Sequence, residues 1–494
     1  MVSRAKILSA GLLGLVVLAG IGAACVVGAD SVPLAPDSTI REALCRRLIL
    51  GTTEGRQGLV SSAWFAPLPV IARLPLVYLL PDSLPGLPSR LVSLLFGLAA
   101  LAVLGRTAWR WAGFLPAALA VTGLAAHPAF VAACLDGGDA TTVAAFTLLC
   151  AASWSRWVLE DRLTHLSLMS LSAALLCLTR FEMLPWAAAG LVFVLVHEAT
   201  APRLPGQRQA ILVLGALPWA YGLGLWVLGN WLIMGAAFYF LRGLPRLASA
   251  GTHPFPSPAL PVSDPAWLLP LLFPAVLIPF SLLKREWAGL SLALLAFAAV
   301  ALAATLDALG CLWDAGVILL PLLALCLACL ARLAALVPAR STGRRIGVAA
   351  LGPVLPLLLL AGRPVAWKPV PPAPAPLREE YRAMLAEIRD TVDAQTSFAT
   401  VYVCGYDSFP MLDGSADSEF LRELDFDFTR AAKEYEGHTL FLLVPRPEGR
   451  EATESIHRKF PGIYAAGFAN TLYAGDWGRW RLFELVDKPR EEEP

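Results

Sequence analysis

Long apolar runs recur through the first 362 residues of the chain, separated by short polar loops and by two longer polar stretches at 29–88 and 230–265. A helix that crosses a bilayer needs roughly 20 apolar residues, and about eleven stretches approach that length. They fall near residues 6–28, 89–107, 112–133, 140–158, 164–180, 183–198, 210–229, 266–283, 288–308, 315–336 and 346–362. The first run is longer than the core of a cleavable signal peptide, so we interpret it as an anchor. The pattern predicts an α-helical polytopic membrane protein.

The pattern changes in the last quarter of the chain. A proline-rich stretch predicts an extended linker over residues 363–377. Beyond it, helix-like and strand-like segments alternate, which is typical of a small α/β domain over 378–494. The predicted helices are 379–394, 418–436 and 451–459, and the predicted strands are 398–404, 438–444, 471–473 and 481–486. The sequence therefore predicts a transmembrane domain over 1–362 followed by one soluble domain.

Composition agrees with this division. Hydrophobic residues make up 57% of the chain and charged residues only 16%, whereas a soluble protein is usually about half apolar and about a quarter charged. The net charge of +1 indicates no particular partner. Most of the nine cysteines lie inside apolar runs without metal-ligand spacing, which favours a packing role.

Basic residues in the short loops set the predicted orientation. If the helices alternate, the loop lysines and arginines share one face, which the positive-inside rule makes cytoplasmic. They are Arg4, Lys6, Arg106, Arg110, Arg156, Arg162, Arg203, Arg208, Lys284, Arg285, Arg340, Arg344 and Arg345. The N-terminus is then cytoplasmic, and an odd number of crossings places the C-terminal domain outside. A composition rich in Ala, Leu, Arg and Pro is typical of a GC-rich bacterial gene, and the expected location is the bacterial cytoplasmic (inner) membrane.

Ionisable residues beside predicted spans are candidates for function, because charge near a membrane is costly. Asp37 follows a proline and opens an amphipathic helix that also carries Glu42; the alternative is that Asp37 is a helix N-cap. Asp139 follows two glycines that would allow a ligand to approach the backbone, or it caps the next helix. Arg180 and Glu182 end the fifth predicted span and are either a surface pair or a site for a lipid phosphate.

Several of these features, in this order, resemble the GT-C superfamily of polytopic glycosyltransferases, in particular protein-mannosyltransferases and aminoarabinose transferases. The matching features are Asp37, the Pro-Leu-Pro run at 67–69, the segment 89–97, Pro128, Asp139 and the Trp-containing segment 230–240. The chain departs from the family where Ser38 replaces the second acid of an Asp-Glu pair. It departs again where Trp313 and Asp314 replace an Arg-Tyr pair. The first departure weakens the catalytic assignment, and the second leaves contacts in the C-terminal half unassigned.

The resemblance implies transfer of a sugar from a polyprenyl-phosphate donor to a glycan, lipid or protein acceptor at the outer face, with inversion. It implies that Asp37 is the general base and that Asp139 positions the acceptor or steadies Asp37. Arg90 and Arg180 are the predicted ligands of the donor phosphate, because a guanidinium fork matches phosphate oxygens. Glu42 and Glu182 complete the predicted substrate-binding set. Membrane lipid is an expected partner, and nucleic acid is not.

Three points stay open at this stage. Two acids could hold a divalent metal ion, but no histidine joins them, so metal dependence is undetermined. The C-terminal domain could grip the acceptor, contact a partner or cover the catalytic cavity. The alternative function is a multi-pass transporter or lipid flippase of the cell envelope, which predicts charged or broken helices near the bilayer midplane. An envelope scaffold and an O-antigen-ligase-like enzyme are further options.

Overall fold

A computed structural model describes most of the membrane domain and the central part of the C-terminal domain. The described residues are 34–51, 53–60, 66–80, 86–243, 270–308, 316–336, 375–394, 399–404, 420–422, 439–448, 456–457, 460–467 and 471–486. The predicted spans 6–28 and 346–362, most of the predicted linker, and Trp313 and Asp314 lie outside them.

Three short helices precede the first described membrane span: α1 (Pro36–Ile49), α2 (Thr53–Val60) and α3 (Pro67–Leu79). Proline occupies the first turn of both α1 and α3, where its missing N–H has no helical partner to lose and its fixed φ already suits a helix. The helix α1 begins at Pro36 with Ala35 as its N-cap residue. The alternative prediction that Asp37 is the N-cap is therefore wrong.

The apolar runs predicted between residues 89 and 336 all coincide with described helices. These are α4 (Leu87–Ala112), α5 (Phe114–Ala125), α6 (Pro128–Leu135), α7 (Ala140–Glu160), α8 (Leu163–Thr179), α9 (Leu184–Thr200), α10 (Pro205–Met234), α11 (Leu272–Lys284), α12 (Trp287–Ala308) and α13 (Gly316–Leu336). Among the described residues, 6 helices are long and apolar enough to cross a membrane, or 7 if the bent pair α5 and α6 is one span. That pair bends by 60°, which ends the predicted span 112–133 early.

The membrane helices pack around α7 and α13. Burial covers 83% of the most apolar stretch of α13 and 72% of that of α7, but only 22% of that of α10. Because lipid is as apolar as leucine, a helix with so little protein cover is expected to face lipid. The helices α7 and α8 form a tight antiparallel pair joined at Asp161 and Arg162, so the start of α7 and the end of α8 lie at the same end of the bundle.

The C-terminal domain is built on a five-stranded mixed sheet. Its strands are β1 (Ala399–Val403), β2 (Phe420–Arg422), β3 (Thr439–Pro445), β4 (Thr471–Trp477) and β5 (Trp480–Leu485), in the order β2-β1-β3-β5-β4. The β1 strand pairs in parallel with β2 and β3, and β5 is antiparallel to β3 and β4. The prediction of a helix over 418–436 is wrong at residues 420–422, which are strand β2. A short helix, α15 (Ile463–Ala466), was not predicted.

Each face of the sheet is covered by helices. The amphipathic helix α14 (Ala375–Asp393), predicted as 379–394, packs Tyr381, Leu385 and Ile388 on the face that carries Phe441 and Leu443. On the opposite face, alternate positions of β1 and β3 belong to one buried apolar cluster with residues of α1 and α3. The residues of that contact include Tyr402, Leu440, Leu442, Val444, Ile40, Leu44, Cys45, Val70 and Val77. The soluble domain is therefore docked on the short helices of the membrane domain.

Leu442 tests this docking. Its side chain is fully buried (0% exposed) in the apolar cluster that joins the sheet to the short helices. We expect Leu442→Ala to reduce stability by about 2–5 kcal/mol, because truncating a buried leucine removes packing and leaves a cavity. The measurement is thermal unfolding of the purified protein in detergent. Leu472→Ala, at a position that is 55% exposed on β4, should change the midpoint little, and equal shifts for the two variants would contradict the docked arrangement.

Candidate functional site

Asp139 lies at the centre of a fully buried cluster of charged side chains. It occupies the N-cap position of α7, but its carboxylate makes no capping hydrogen bond. Arg73 Nη2 instead lies 3.0 Å from Oδ1, and Arg180 Nε lies 3.4 Å from Oδ2. Arg41 Nη2 also contacts Oδ2. The carboxylate of Asp139 thus organises three guanidinium groups from different elements rather than capping its own helix.

Arg73 connects the cluster to the backbone around it. Its guanidinium donates to Pro69 O at 2.9 Å, to Ser89 Oγ at 3.1 Å and to Gly137 O at 2.6 Å. These bonds tie α3 to α4 and to the loop before α7. Sequence reasoning missed Arg73, although it is the only charged residue of α3. A single arginine in an otherwise apolar helix was the signal that could have found it.

The loop before α7 requires a glycine at position 137. Gly137 has a φ of +74°, a region in which residues with a Cβ are strained. A Cβ there would also lie 2.9 Å from the Cβ of Ser89 and 3.3 Å from that of Ser38. The close approach that the sequence assigned to a ligand is therefore made by α1 and α4. Ser93 Oγ donates to Gly138 O at 2.7 Å and holds the loop from α4.

Glu42 faces the start of α4 rather than the arginine cluster. Its Oε2 accepts from Gly86 N at 2.9 Å and its Oε1 from Ser89 N at 3.0 Å. A carboxylate at this position satisfies N–H groups that lack helical partners and lies at the positive end of the helix dipole. Capping of α4 accounts for Glu42 without a substrate, so its predicted part in substrate binding stays untested.

Arg180 and Glu182 are a buried pair, which makes the alternative of a surface pair wrong. Arg180 is fully buried and Glu182 is 8% exposed. Arg180 Nη1 lies 3.7 Å from Glu182 Oε1. Both follow α8, with Glu182 in a short 3₁₀ turn over Phe181–Met183. Because α7 and α8 are antiparallel neighbours, this turn lies at the same end of the bundle as Asp139.

Two candidates of the predicted set remain, Asp37 and Arg90. Asp37 is the second residue of α1, and its side chain lies outside what the structure describes. Arg90 is half-buried in the first turn of α4. Within the described residues it is not one of the arginines paired with Asp139. The structure therefore brings together Asp139, Arg180 and Glu182 from the predicted set. It adds Arg41 and Arg73, which the sequence did not single out as site residues.

Three arginines and two acids make up the described ion pairs around Asp139. Arg41, Arg73 and Arg180 contribute three positive charges, and Asp139 and Glu182 contribute two negative ones. Burial alone would raise the pKa of Asp139, but the three neighbouring guanidinium groups outweigh it and hold the pKa below the ordinary value. Asp139 is thus ionised at neutral pH and is a poor proton acceptor. Three guanidinium groups held together in a dry setting suit an anionic ligand.

The same donor set is unsuited to a cation. Three arginines surround the Asp139 carboxylate, and a metal ion there would be repelled by them. Among the described residues, no group of three or more His, Cys, Asp or Glu side chains could hold a metal ion.

The fold is similar to that of known membrane proteins. ArnT from Cupriavidus metallidurans bound to undecaprenyl phosphate matches with a TM-score of 0.51 at 15% sequence identity, covering 96% of this chain and 98% of that chain. The apo state of the same protein matches with a TM-score of 0.47, the same identity and the same coverage. The chain has a GT-C-like fold. The resemblance predicted from the sequence is thereby confirmed at the level of the fold. No protein-family model and no curated protein sequence matches the chain.

Proposed function

We propose that the protein is a membrane glycosyltransferase that moves a sugar from a polyprenyl-phosphate donor to an acceptor at the outer face of the bacterial inner membrane. The observation that carries this proposal is the buried cluster of three arginines around Asp139, in a chain with an ArnT-like fold over 96% of its length. The neighbouring ArnT structure is bound to undecaprenyl phosphate, a lipid of the class that the proposal assigns to the donor.

The arginines would serve the phosphate of the donor. Cleavage of a sugar from a polyprenyl phosphate leaves a phosphate monoester with more negative charge than the donor had. Guanidinium groups stay charged and match phosphate oxygens in pairs, so they stabilise a leaving group of this kind. Arg180 is the proposed principal contact because it belongs to the cluster and directly precedes the turn before α9. Arg90, one turn into α4, is the proposed second contact.

The acceptor hydroxyl would lose its proton to Asp37. Both oxygens of Asp139 are engaged by arginines, which leaves Asp139 to position the groups around it. Asp37 lies four residues before Arg41 in α1, and residues at this spacing lie on the same side of a helix. A base on one side of the sugar and a phosphate on the other give a single displacement with inversion. No covalent intermediate is required.

The cluster is proposed to face the extracytoplasmic side. It lies at the start of α7 and the end of α8, opposite the turn that carries Arg162 and follows Arg156 at the end of α7. The positive-inside rule assigns that basic turn to the cytoplasm. The C-terminal domain packs on α1 and α3 beside the cluster, so it would lie outside as well. The acceptor is proposed to be a glycan, lipid or protein of the envelope.

The test is mass spectrometry of the lipids that co-purify with the wild-type protein and with Asp37→Asn. We expect a sugar-bearing polyprenyl phosphate, enriched severalfold in the variant because binding persists while turnover stops. Asp161→Asn is the control, since Asp161 is exposed at the opposite end of α7. A wild-type protein that carries only bulk phospholipid would contradict the donor assignment and favour transport, and equal enrichment in the control would contradict the base assignment.

A further inference from the structure

Glu182 carries an unused hydrogen-bond acceptor inside the cluster. Its side chain is 8% exposed. Oε1 lies 3.7 Å from Arg180 Nη1, whereas Oε2 is buried and has no hydrogen-bond partner within the described part of the chain. Buried polar atoms in native proteins are nearly always paired, and the exceptions call for an explanation such as a ligand. A carboxylate oxygen in this state can accept a hydrogen bond from a hydroxyl or another donor.

The neighbours of Glu182 indicate which part of a ligand would supply that hydrogen-bond donor. Arg180 pairs with the Glu182 carboxylate across 3.7 Å, and Asp139 joins Arg180 to Arg41. A phosphate bound by Arg180 would lie within a few ångströms of Glu182. The group next to that phosphate in a loaded donor is the sugar, whose hydroxyls are hydrogen-bond donors. The free carrier has no sugar and therefore no such hydroxyls, so Glu182 would lie next to the phosphate alone.

We propose that Glu182 makes the site prefer the sugar-loaded carrier over the free polyprenyl phosphate. Oε2 accepts a hydrogen bond from a hydroxyl of the carried sugar, while the carboxylate charge disfavours the free phosphate. The loaded donor is a phosphodiester with one ionised oxygen, whereas a phosphate monoester carries about −1.5 to −2 charges at pH 7. The same residue therefore favours donor binding and promotes release of the spent carrier. This inference rests on the proposed function.

Binding of undecaprenyl phosphate to the purified, full-length protein tests the inference without knowledge of the sugar. We expect Glu182→Gln to bind this probe about tenfold more tightly than the wild type, because it removes a negative charge a few ångströms from the phosphate. A gain in affinity is a result that structural damage does not produce. Glu182→Asp, which keeps the charge, should retain the weak binding of the wild type. Glu160→Gln, at the other end of α7, should leave affinity unchanged.

Lipid mass spectrometry supplies the second measurement. In lipids that co-purify from cells, Glu182→Gln should shift the ratio of sugar-bearing to free polyprenyl phosphate toward the free carrier by about tenfold. Arg180→Ala separates the two proposals, because it should weaken binding of the probe whatever Glu182 does. If the wild type binds no undecaprenyl phosphate, or Arg180→Ala binds it as the wild type does, the proposed function fails. If Arg180→Ala weakens binding but Glu182→Gln does not tighten it, the selectivity role alone is overturned.

Discussion

Asp139→Asn should destabilise the protein by about 3–5 kcal/mol, since removing one partner from a buried ion pair leaves uncompensated charge. The substitution keeps the shape of the side chain, so packing around it is little changed. Arg41, Arg73 and Arg180 would then face one another without the carboxylate that pairs with all three. The measurement is the midpoint of thermal unfolding in detergent, together with retention of polyprenyl lipid during purification.

A matched control lies at the opposite end of α7. Asp161 also pairs with an arginine, Arg203, but its side chain is 60% exposed. Asp161 has a φ of +51°, a conformation that asparagine tolerates. Asp161→Asn should therefore cost about 1 kcal/mol or less, as exposed ion pairs do. Similar losses for the two variants would contradict the central position of Asp139.

The pH dependence of stability follows from the same cluster. The pKa of Asp139 is held below its ordinary value in the folded protein, mainly by three arginines acting against the effect of burial. A group with a depressed pKa stabilises the fold above its unfolded-state pKa, and that contribution is lost as the pH falls through the folded-state pKa. The contribution of Asp139 is thus complete at neutral pH and disappears only in acid.

Hydropathy predicted the membrane helices between residues 89 and 336 because their apolar stretches are long and their loops are short. It could not predict the 60° bend between α5 and α6, which depends on how His127 and Pro128 start a second short helix. In the soluble domain, the buried strands β1 and β3 were predicted from runs of apolar and aromatic residues. The short strand β2 was missed, because Phe420–Arg422 lies in a charged segment whose composition favours a helix.

The candidate site was only partly predictable for a similar reason. Asp139, Arg180 and Glu182 stood out because each is charged at the end of an apolar run. Arg41 was hidden among the other charged residues of α1, and Arg73 lies inside the otherwise apolar helix α3. Both side chains reach Asp139 because α1, α3 and α4 pack around the loop before α7. That packing follows from contacts between distant segments, such as Arg73 with Gly137.

The contact between the soluble domain and these helices links the two halves of the molecule. Ile40 and Leu44 pack under the sheet on one side of α1, while Arg41 of the same helix reaches Asp139. Val70 and Val77 do the same for α3, which carries Arg73. A displacement of the sheet would therefore move two of the three arginines. Of the roles left open by the sequence, covering and shaping the cluster is the one that this packing favours.

Arg73→Lys is expected to cost about 3 kcal/mol or more, although it keeps the charge. The planar guanidinium reaches Pro69 O, Ser89 Oγ, Gly137 O and the Asp139 carboxylate at once. A lysine ammonium is a point charge that cannot span these acceptors. Each buried acceptor left without a partner costs about 1–3 kcal/mol. Thermal unfolding of the variant measures the loss, and binding of undecaprenyl phosphate should weaken with it.

Arg162→Lys is the control, since Arg162 is 71% exposed and surface substitutions of this kind usually change stability by about 0.5 kcal/mol or less. If Arg73→Lys is as stable as Arg162→Lys, the positive charge at position 73 stabilises the cluster and the hydrogen bonds of the guanidinium group do not.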